Sequence, residues 1–294
     1  MKIQTVFIVG SGLMGSGIAQ VCAQAGLRVI LCDVAQGQLD KALQTISWSA
    51  GKFIEKGAVE GTLDQVMNRV STTTGYVPAA EADLVLEAVF ENIDIKRDVL
   101  EKLKGVVRPD ALIATNTSAI PITELAASVD RPQRFLGLHF FSPVPMMKAV
   151  EVIRGMFTSD ETLSAARELA VQIGKDPIMV NRDVAGFVIN RINFPSTIEA
   201  MRLVEAGVAT VEDIDKGLRL ASGRRMGIFE TGDMVGLDVT YGALMAMYRE
   251  TGEERWYPPL LLRRKVKAGQ LGRKTGVGWY RYDKDGNRLG PAEL

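Results

Sequence analysis

A glycine-rich turn near the start of the chain limits the folds that this sequence can adopt. Residues 6–9 form a short apolar run, which is followed by Gly10-Ser-Gly-Leu-Met-Gly15 and then by small and apolar residues at helical spacing. A second apolar run, Arg28–Cys32, ends at Asp33. A strand, a glycine turn, a helix and a second strand ending in an acid, in this order and about twenty residues apart, indicate a βαβ unit that binds a dinucleotide.

Each part of this pattern has a physical role in holding a dinucleotide. Gly10 permits the tight turn, Gly12 lets a pyrophosphate approach the backbone, and Gly15 lets the helix pack closely on the strand. Asp33 can accept hydrogen bonds from both ribose hydroxyls and would repel a 2′-phosphate, and no arginine follows it in the next four residues. We therefore predict NAD rather than NADP; a fortuitous glycine turn is the alternative. The loop residues predicted to contact the cofactor are Gly10, Gly12, Leu13, Met14 and Gly15.

Short apolar runs alternate with helical patterns along the first part of the chain. This alternation predicts an α/β fold with a Rossmann-type, doubly wound and mostly parallel sheet. The remaining strand candidates are residues 68–74, 82–89, 112–118, 135–140, 150–153 and 178–181.

From about residue 186 the pattern becomes helical. Helices are predicted at residues 186–207, 211–221, 231–249 and 258–267. We therefore expect an NAD-binding domain at residues 1–185 and an all-α substrate and dimerisation domain at residues 186–294.

Composition narrows the class of protein. Lysine plus arginine and aspartate plus glutamate number 35 each, so no global field attracts nucleic acid or a membrane surface. No apolar run approaches the ~18 residues of a membrane helix. Cys22 and Cys32 are too few for a disulfide framework, and no cysteine–histidine cluster predicts a metal site. With no signal-type segment before the first strand, we expect a cytoplasmic protein.

His139 is the only histidine in the sequence, and imidazole is the side chain whose unperturbed pKa lies nearest neutrality. It lies near the end of the apolar run 135–140, before a proline-rich break. The carboxyl ends of parallel strands are where open α/β sheets place their ligands, and Asn116 and Ser118 follow the preceding strand candidate. These three side chains are expected at one edge of the sheet. A core histidine with satisfied hydrogen bonds is the alternative.

Four segments together resemble one known family. The chain is similar to the L-3-hydroxyacyl-CoA dehydrogenases, including their bacterial 3-hydroxybutyryl-CoA members, over essentially its whole length. The segment around His139 and Glu151 is specific to that family, whereas the glycine turn alone is not. The matching segments are residues 116–118, 137–151, 186–191 and 272–280.

The resemblance implies roles for the residues that match the family pattern. His139 would be the general base, or in reverse the acid, for the 3-hydroxyl group of an acyl-CoA substrate. Glu151 would orient the imidazole, and Ser118 and Asn190 would hydrogen-bond the reacting oxygens. The site would then lie between two domains, with Asn190 supplied by the helical one.

The resemblance also implies binding residues and an assembly. Glu91, Lys96 and Asn116 would line the NAD site, and the family forms a homodimer through its helical domain. Lys52 and Lys56 resemble positions that contact CoA. The sequence pattern alone favours a solvated basic helix end for these two residues, with a phosphate contact as the alternative.

Two departures from the family leave the substrate open. Ser142 stands where the family usually has asparagine, and residues 224–230 replace a segment that is often His-Pro-Met-Gly-Pro in bacterial members. Ser142 is expected to alter a polar contact near the cofactor or the substrate. The segment 224–230 bears on the acyl pocket and leaves room for the λ-crystallin and gulonate dehydrogenase branch, which acts on free acids.

Two further alternatives are weaker. β-Hydroxyacid dehydrogenases need a lysine four residues before the helix asparagine, and this chain has Gly186 there. A non-catalytic dinucleotide-binding protein would not need to retain Ser118, His139, Glu151 and Asn190 together.

Overall fold

The computed structural model describes residues 2–293, and the chain divides into two compact units between Val184 and Ala185. The described part of the first unit contains one eight-stranded sheet with the strand order β3-β2-β1-β4-β5-β6-β7-β8. Its strands are β1 (Thr5–Val9), β2 (Arg28–Cys32), β3 (Val70–Thr73), β4 (Leu84–Glu87), β5 (Leu112–Thr115), β6 (Phe135–Phe140), β7 (Ala149–Ile153) and β8 (Asp176–Val180).

The direction of the strands confirms the predicted doubly wound, mostly parallel sheet. Strands β1 to β6 are parallel to one another, β7 is antiparallel to β6, and β8 is parallel to β7. The chain order reverses between β1 and β4, which is the switch point where such sheets bind ligands. The helices of this unit are α1 (Leu13–Gln24), α2 (Gln36–Glu55), α3 (Leu63–Met67), α4 (Ile93–Leu103), α5 (Ile122–Leu125) and α6 (Asp160–Gln172).

The central strands form the core of the first unit. Val6, Phe7 and Ile8 of β1 are completely buried, as are all four residues of β4 to within 1%. Strands covered on both faces need near-continuous apolar sequence, and these runs supply it. Helix α1 packs closely against this core, since a Cβ added at Gly15 would lie 1.8 Å from the Gly10 carbonyl oxygen.

Both cysteine thiols are free and lie in this core, and this placement predicts that they are unreactive in the folded protein. Burial raises the pKa of Cys22 to about 12, and burial together with the Asp33 carboxylate raises that of Cys32 to about 11. Because the thiolate is the nucleophile, neither thiol should react with Ellman's reagent in the folded protein at pH 8, and both should react in guanidinium chloride. Labelling faster than global unfolding would contradict this placement.

The second unit is helical, with one small exception and one break that the sequence pattern did not predict. Its helices are α7 (Ile189–Glu205), α8 (Val211–Ser222), α9 (Ile228–Val235), α10 (Leu237–Thr251) and α11 (Leu260–Lys267). The exception is an antiparallel hairpin of β9 (Tyr280–Tyr282) and β10 (Arg288–Pro291), which the all-α expectation omitted. Among the described helices, none is long and apolar enough to span a membrane.

The expected single helix over residues 231–249 is wrong. Gly236 has φ +110° and separates α9 from α10. A Cβ at this position would lie 2.8 Å from an Asp238 carboxylate oxygen and 3.0 Å from the Lys274 ammonium nitrogen. Apolar residues continue at helical spacing on both sides, so only the backbone conformation at Gly236 marks the break.

Two buried carboxylates connect the hairpin to the helices of the second unit. Asp233 accepts hydrogen bonds from the backbone N–H groups of Trp279 and Tyr280 at 2.8 Å each, and from the Tyr282 hydroxyl at 3.0 Å. Asp215 accepts from the Tyr280 hydroxyl at 2.9 Å and from two backbone N–H groups at the start of α9. Burial raises the pKa of both carboxyl groups, and these donors oppose that effect.

Candidate active site

The glycine turn leaves the start of helix α1 open. Gly10 has φ +99°, and a Cβ there would lie 2.6 Å from the Ala88 carbonyl oxygen. Gly12 is the N-cap residue of α1 and provides no side-chain cap, and the first turn contains no acidic residue. A Cβ added at Gly12 would meet nothing within 4 Å. Helix N-terminal N–H groups without a cap attract anions, so this end of α1 fits a pyrophosphate.

Asp33 follows β2, and Ser11 holds its carboxylate in place. One carboxylate oxygen accepts hydrogen bonds from the Ser11 N–H group at 2.9 Å and from the Ser11 hydroxyl at 2.8 Å. The other accepts from the Ala35 N–H group at 3.2 Å. An acid fixed beside the glycine turn is what a ribose with free 2′- and 3′-hydroxyls requires. The residues present therefore fit NAD.

His139 and Glu151 lie opposite each other on strands β6 and β7. The antiparallel register pairs the two residues directly, so their side chains share one face of the sheet. His139 Nδ1 lies 2.6 Å from Glu151 Oε2, the His139 side chain is 5% exposed and the Glu151 side chain is fully buried. A carboxylate only accepts, so Nδ1 carries a proton and Nε2 bears the lone pair of the neutral ring.

Asn116 joins the carboxyl ends of β5 and β6. It follows β5, and its Oδ1 atom accepts a hydrogen bond from the Phe140 N–H group, next to His139, at 2.9 Å. The Phe141 ring lies 4.7 Å from the imidazole, centroid to centroid. Asn116 and His139 therefore lie at one edge of the sheet, as expected, and the backbone of Phe140 connects them.

Glu91, Lys96 and Ser118 form a second group at the same edge of the sheet. Glu91 Oε1 accepts from the Ser118 N–H group at 2.7 Å, and its Oε2 atom lies 3.4 Å from Lys96 Nζ. The Lys96 side chain is completely buried, with its ammonium 2.8 Å from Glu87 Oε1. Lys96 and Glu91 are both predicted to line the cofactor site, but they differ in exposure. Lys96 is surrounded by protein, whereas the Glu91 side chain is 27% exposed.

The other predicted residues lie elsewhere in the two units. Lys52 and Lys56 are exposed at the end of α2, where Lys52 pairs with Glu55 at 2.8 Å. Asn190 lies in the first turn of α7, in the second unit.

The segment 224–230, which departs from the family pattern, leads into α9: Gly227 is the N-cap residue and Ile228 the first residue of the helix. Glu230 accepts from the Gly227 N–H group at 3.0 Å and from the Arg219 guanidinium at 2.6 Å. These contacts hold the Glu230 pKa below its usual value, although burial opposes them. The visible role of Glu230 is therefore to cap a helix.

The sequence analysis missed several residues that hold these groups together. Glu87, Thr115 and Thr117 are fully buried, and Ser11 is 5% exposed. One signal was available: Glu87 is an acid at the end of the apolar run of β4, and a buried acid requires a partner. No comparable sign of a role for Ser11, Thr115 or Thr117 is present in the sequence, since serine and threonine are common residues.

Comparison with known proteins assigns both halves of the chain to one family. Residues 5–184 match the NAD binding domain of 3-hydroxyacyl-CoA dehydrogenase, and residues 186–282 match its C-terminal domain. A probable 3-hydroxybutyryl-CoA dehydrogenase of Deinococcus radiodurans is 43% identical over 94% of this chain and 99% of its own length. The corresponding enzyme of Clostridioides difficile is 41% identical over 94% of this chain and 99% of its own length.

A solved structure gives the same result at the level of the fold. The (S)-3-hydroxybutyryl-CoA dehydrogenase of Ralstonia eutropha superposes with a TM-score of 0.88 at 41% identity, covering 96% of this chain and 100% of its own. With both halves of the chain matched and the glycine turn, Asp33 and the His139–Glu151 pair in place, this protein belongs to the 3-hydroxyacyl-CoA dehydrogenase family.

Proposed function

We propose that this protein interconverts (S)-3-hydroxybutyryl-CoA and acetoacetyl-CoA with NAD. The observation that carries this proposal is the buried His139–Glu151 pair, with its 2.6 Å contact, at the carboxyl end of β6. The names of the relatives that match over nearly their full length support the choice of a short-chain CoA ester.

The roles of the paired residues follow from their chemistry. NAD, when bound, accepts or supplies the hydride. His139 Nε2 takes the proton of the 3-hydroxyl group as the hydride leaves carbon 3, and it returns that proton in the reverse direction. Glu151 holds the ring through Nδ1 and stabilises the imidazolium that forms, which is the role of the carboxylate in catalytic triads. Ser118 hydrogen-bonds the reacting oxygen, and the same role for Asn190 stays a prediction of the resemblance.

The remaining binding roles are also part of this proposal. Glu91 and Asn116 line the cofactor site, and Lys96 supports Glu91 from within the protein because no part of its side chain is exposed. Lys52 and Lys56 present positive charge at the end of α2, which suits the phosphates of CoA.

The assembly and the location of the enzyme remain predictions. A homodimer through the helical unit is supported by the exposed apolar side chains of Ile192, Val208 and Leu220. The cytoplasmic location stays a prediction from the sequence, and a role in fatty acid metabolism is proposed from the resemblance to the family.

A direct assay tests the proposal. NADH oxidation, followed by its absorbance, should be fast with acetoacetyl-CoA and negligible with free acetoacetate, and gulonate should not reduce NAD. Replacing NADH with NADPH should lower kcat/KM by about tenfold or more, because the Asp33 carboxylate repels a 2′-phosphate. Activity confined to a free acid would favour the gulonate dehydrogenase branch, and no turnover at all would favour a non-catalytic protein.

A further inference from the structure

The turn after β5 presents Ser118 from an otherwise buried stretch. Every residue from Ala111 to Ile120 is buried except Ser118, which is partly exposed. The backbone of this turn sets the position of the Ser118 Cβ atom and therefore the place from which the hydroxyl extends. The groups that fix the backbone of residues 117–120 thus contribute to where the Ser118 hydroxyl lies.

One carboxylate oxygen fixes most of this turn. Glu91 Oε1 accepts hydrogen bonds from the Thr117 hydroxyl at 2.6 Å, the Ser118 N–H group at 2.7 Å and the Ala119 N–H group at 3.0 Å. The Thr117 hydroxyl in turn accepts from the Ile120 N–H group at 3.0 Å. Hydrogen bonds to a charged acceptor are about twice as strong as neutral ones, so Glu91 and Thr117 together hold the turn firmly.

Glu91 is itself held by a buried ion-pair network. Lys96 Nζ lies 3.4 Å from Glu91 Oε2 and 2.8 Å from Glu87 Oε1. Glu87 also accepts from the Thr115 hydroxyl at 2.6 Å and from the Val89 N–H group at 2.7 Å.

Lys96 keeps its charge although it is buried. Burial lowers the pKa of Lys96, but the Glu87 and Glu91 carboxylates more than offset this effect, and the pKa is raised overall. The lysine therefore stays protonated and links Glu87, at the end of β4, to Glu91, in the loop after it. A buried ion-pair network contributes little net stability compared with apolar packing. We therefore take its role to be the fixing of a particular geometry.

We propose that Glu87, Lys96, Glu91 and Thr117 are positioning residues that hold the Ser118 turn in the shape needed for turnover. The proposal assigns Lys96 a place behind the cofactor site, and it rests on the proposed function in taking Ser118 as the residue that bonds the reacting oxygen. The decisive member is Thr117, because it contacts the turn, is fully buried and has no other assigned role.

The test compares Thr117→Val with Thr158→Val. Each substitution keeps the shape of a buried side chain and removes the hydrogen bonds of its hydroxyl group; that of Thr117 also accepts from the Ala119 N–H group at 3.4 Å. The Thr158 hydroxyl donates to the Phe135 carbonyl at 2.6 Å and accepts from the Gly155 N–H group at 3.0 Å, away from the Ser118 turn. The two variants should lose similar thermal stability. Only Thr117→Val should lower kcat with acetoacetyl-CoA, by about tenfold, which corresponds to about 1.4 kcal/mol of transition-state stabilisation.

Two further measurements separate positioning from general destabilisation. Thr117→Ser keeps the hydroxyl and should restore most of kcat. Amide hydrogen exchange at Ser118 and Ala119 should accelerate in Thr117→Val and not in Thr158→Val, and this measurement needs no activity. Full kcat and unchanged exchange in Thr117→Val, or equal losses in both valine variants, would overturn the proposal. An inactive wild-type protein would instead count against the proposed function.

Discussion

Replacing His139 with glutamine should lower kcat for acetoacetyl-CoA reduction by about 100-fold or more. Glutamine has a similar size and can still donate a hydrogen bond to Glu151, but its amide has no pKa near neutrality and so cannot act as a general acid or base. General acid–base catalysis by a positioned side chain contributes about 10²- to 10⁴-fold, so its loss should appear in this range. Steady-state kinetics with saturating NADH measure the effect.

The variant should remain folded and should still bind NADH, because His139 lies in β6 and away from the glycine turn of β1 and α1. Fluorescence titration with NADH and thermal unfolding provide these controls. His139 is the only histidine, so a long-range ¹H–¹⁵N spectrum contains a single imidazole. The Glu151 contact predicts that the neutral ring carries its proton on Nδ1. A variant that binds NADH and turns over at the wild-type rate would refute the proton-transfer role.

Asp233→Ala should destabilise the second unit by about 3 kcal/mol or more. The substitution leaves the N–H groups of Trp279 and Tyr280 and the Tyr282 hydroxyl without their acceptor in a site where Asp233 is 1% exposed. Each buried donor that loses its partner costs about 1–3 kcal/mol. We expect the unfolding temperature of this unit to fall by about 10–15 °C, measured by calorimetry or circular dichroism.

Two variants control for this effect. Tyr282→Phe removes only one of the three donors and should cost about 1 kcal/mol, which keeps the test informative if Asp233→Ala does not fold. Asp238→Ala breaks an exposed ion pair with Lys274 in the same unit and should cost less than about 1 kcal/mol. Equal losses in Asp233→Ala and Asp238→Ala would contradict the buried role of Asp233.

Local sequence was sufficient for the elements that bind the dinucleotide. Strand β1, the glycine turn, helix α1 and Asp33 follow one another within 30 residues, and each is recognisable from its own residues. Strand β6 was predicted at residues 135–140, where the structure has it, because its apolar run is bounded by a proline-rich break. His139 stood out because the chain has no other histidine.

Local sequence was insufficient for features that depend on the backbone conformation of one residue or on a partner that is distant in the chain. The division of α9 from α10 depends on the positive φ of Gly236, and glycine also occurs within helices of this unit, as at Gly217. The complete burial of Lys96 depends on Glu87 and Glu91 arriving from β4 and the loop after it. A lysine in an amphipathic helix is ordinarily solvated, so only the packed structure shows that this one is not.

The sequence by itself determined the order of the strands of the first unit, the cofactor and the residue that can accept or donate a proton near neutral pH. These follow from periodicity, turn chemistry and residue type, which act between near neighbours in the chain. Tertiary structure alone decided that Glu151 faces His139 across an antiparallel pair, that Asn116 binds the Phe140 backbone, and that Glu91 shapes the Ser118 turn. Those contacts join residues 12 to 27 positions apart, and strand register and loop closure, rather than local preference, bring such residues together.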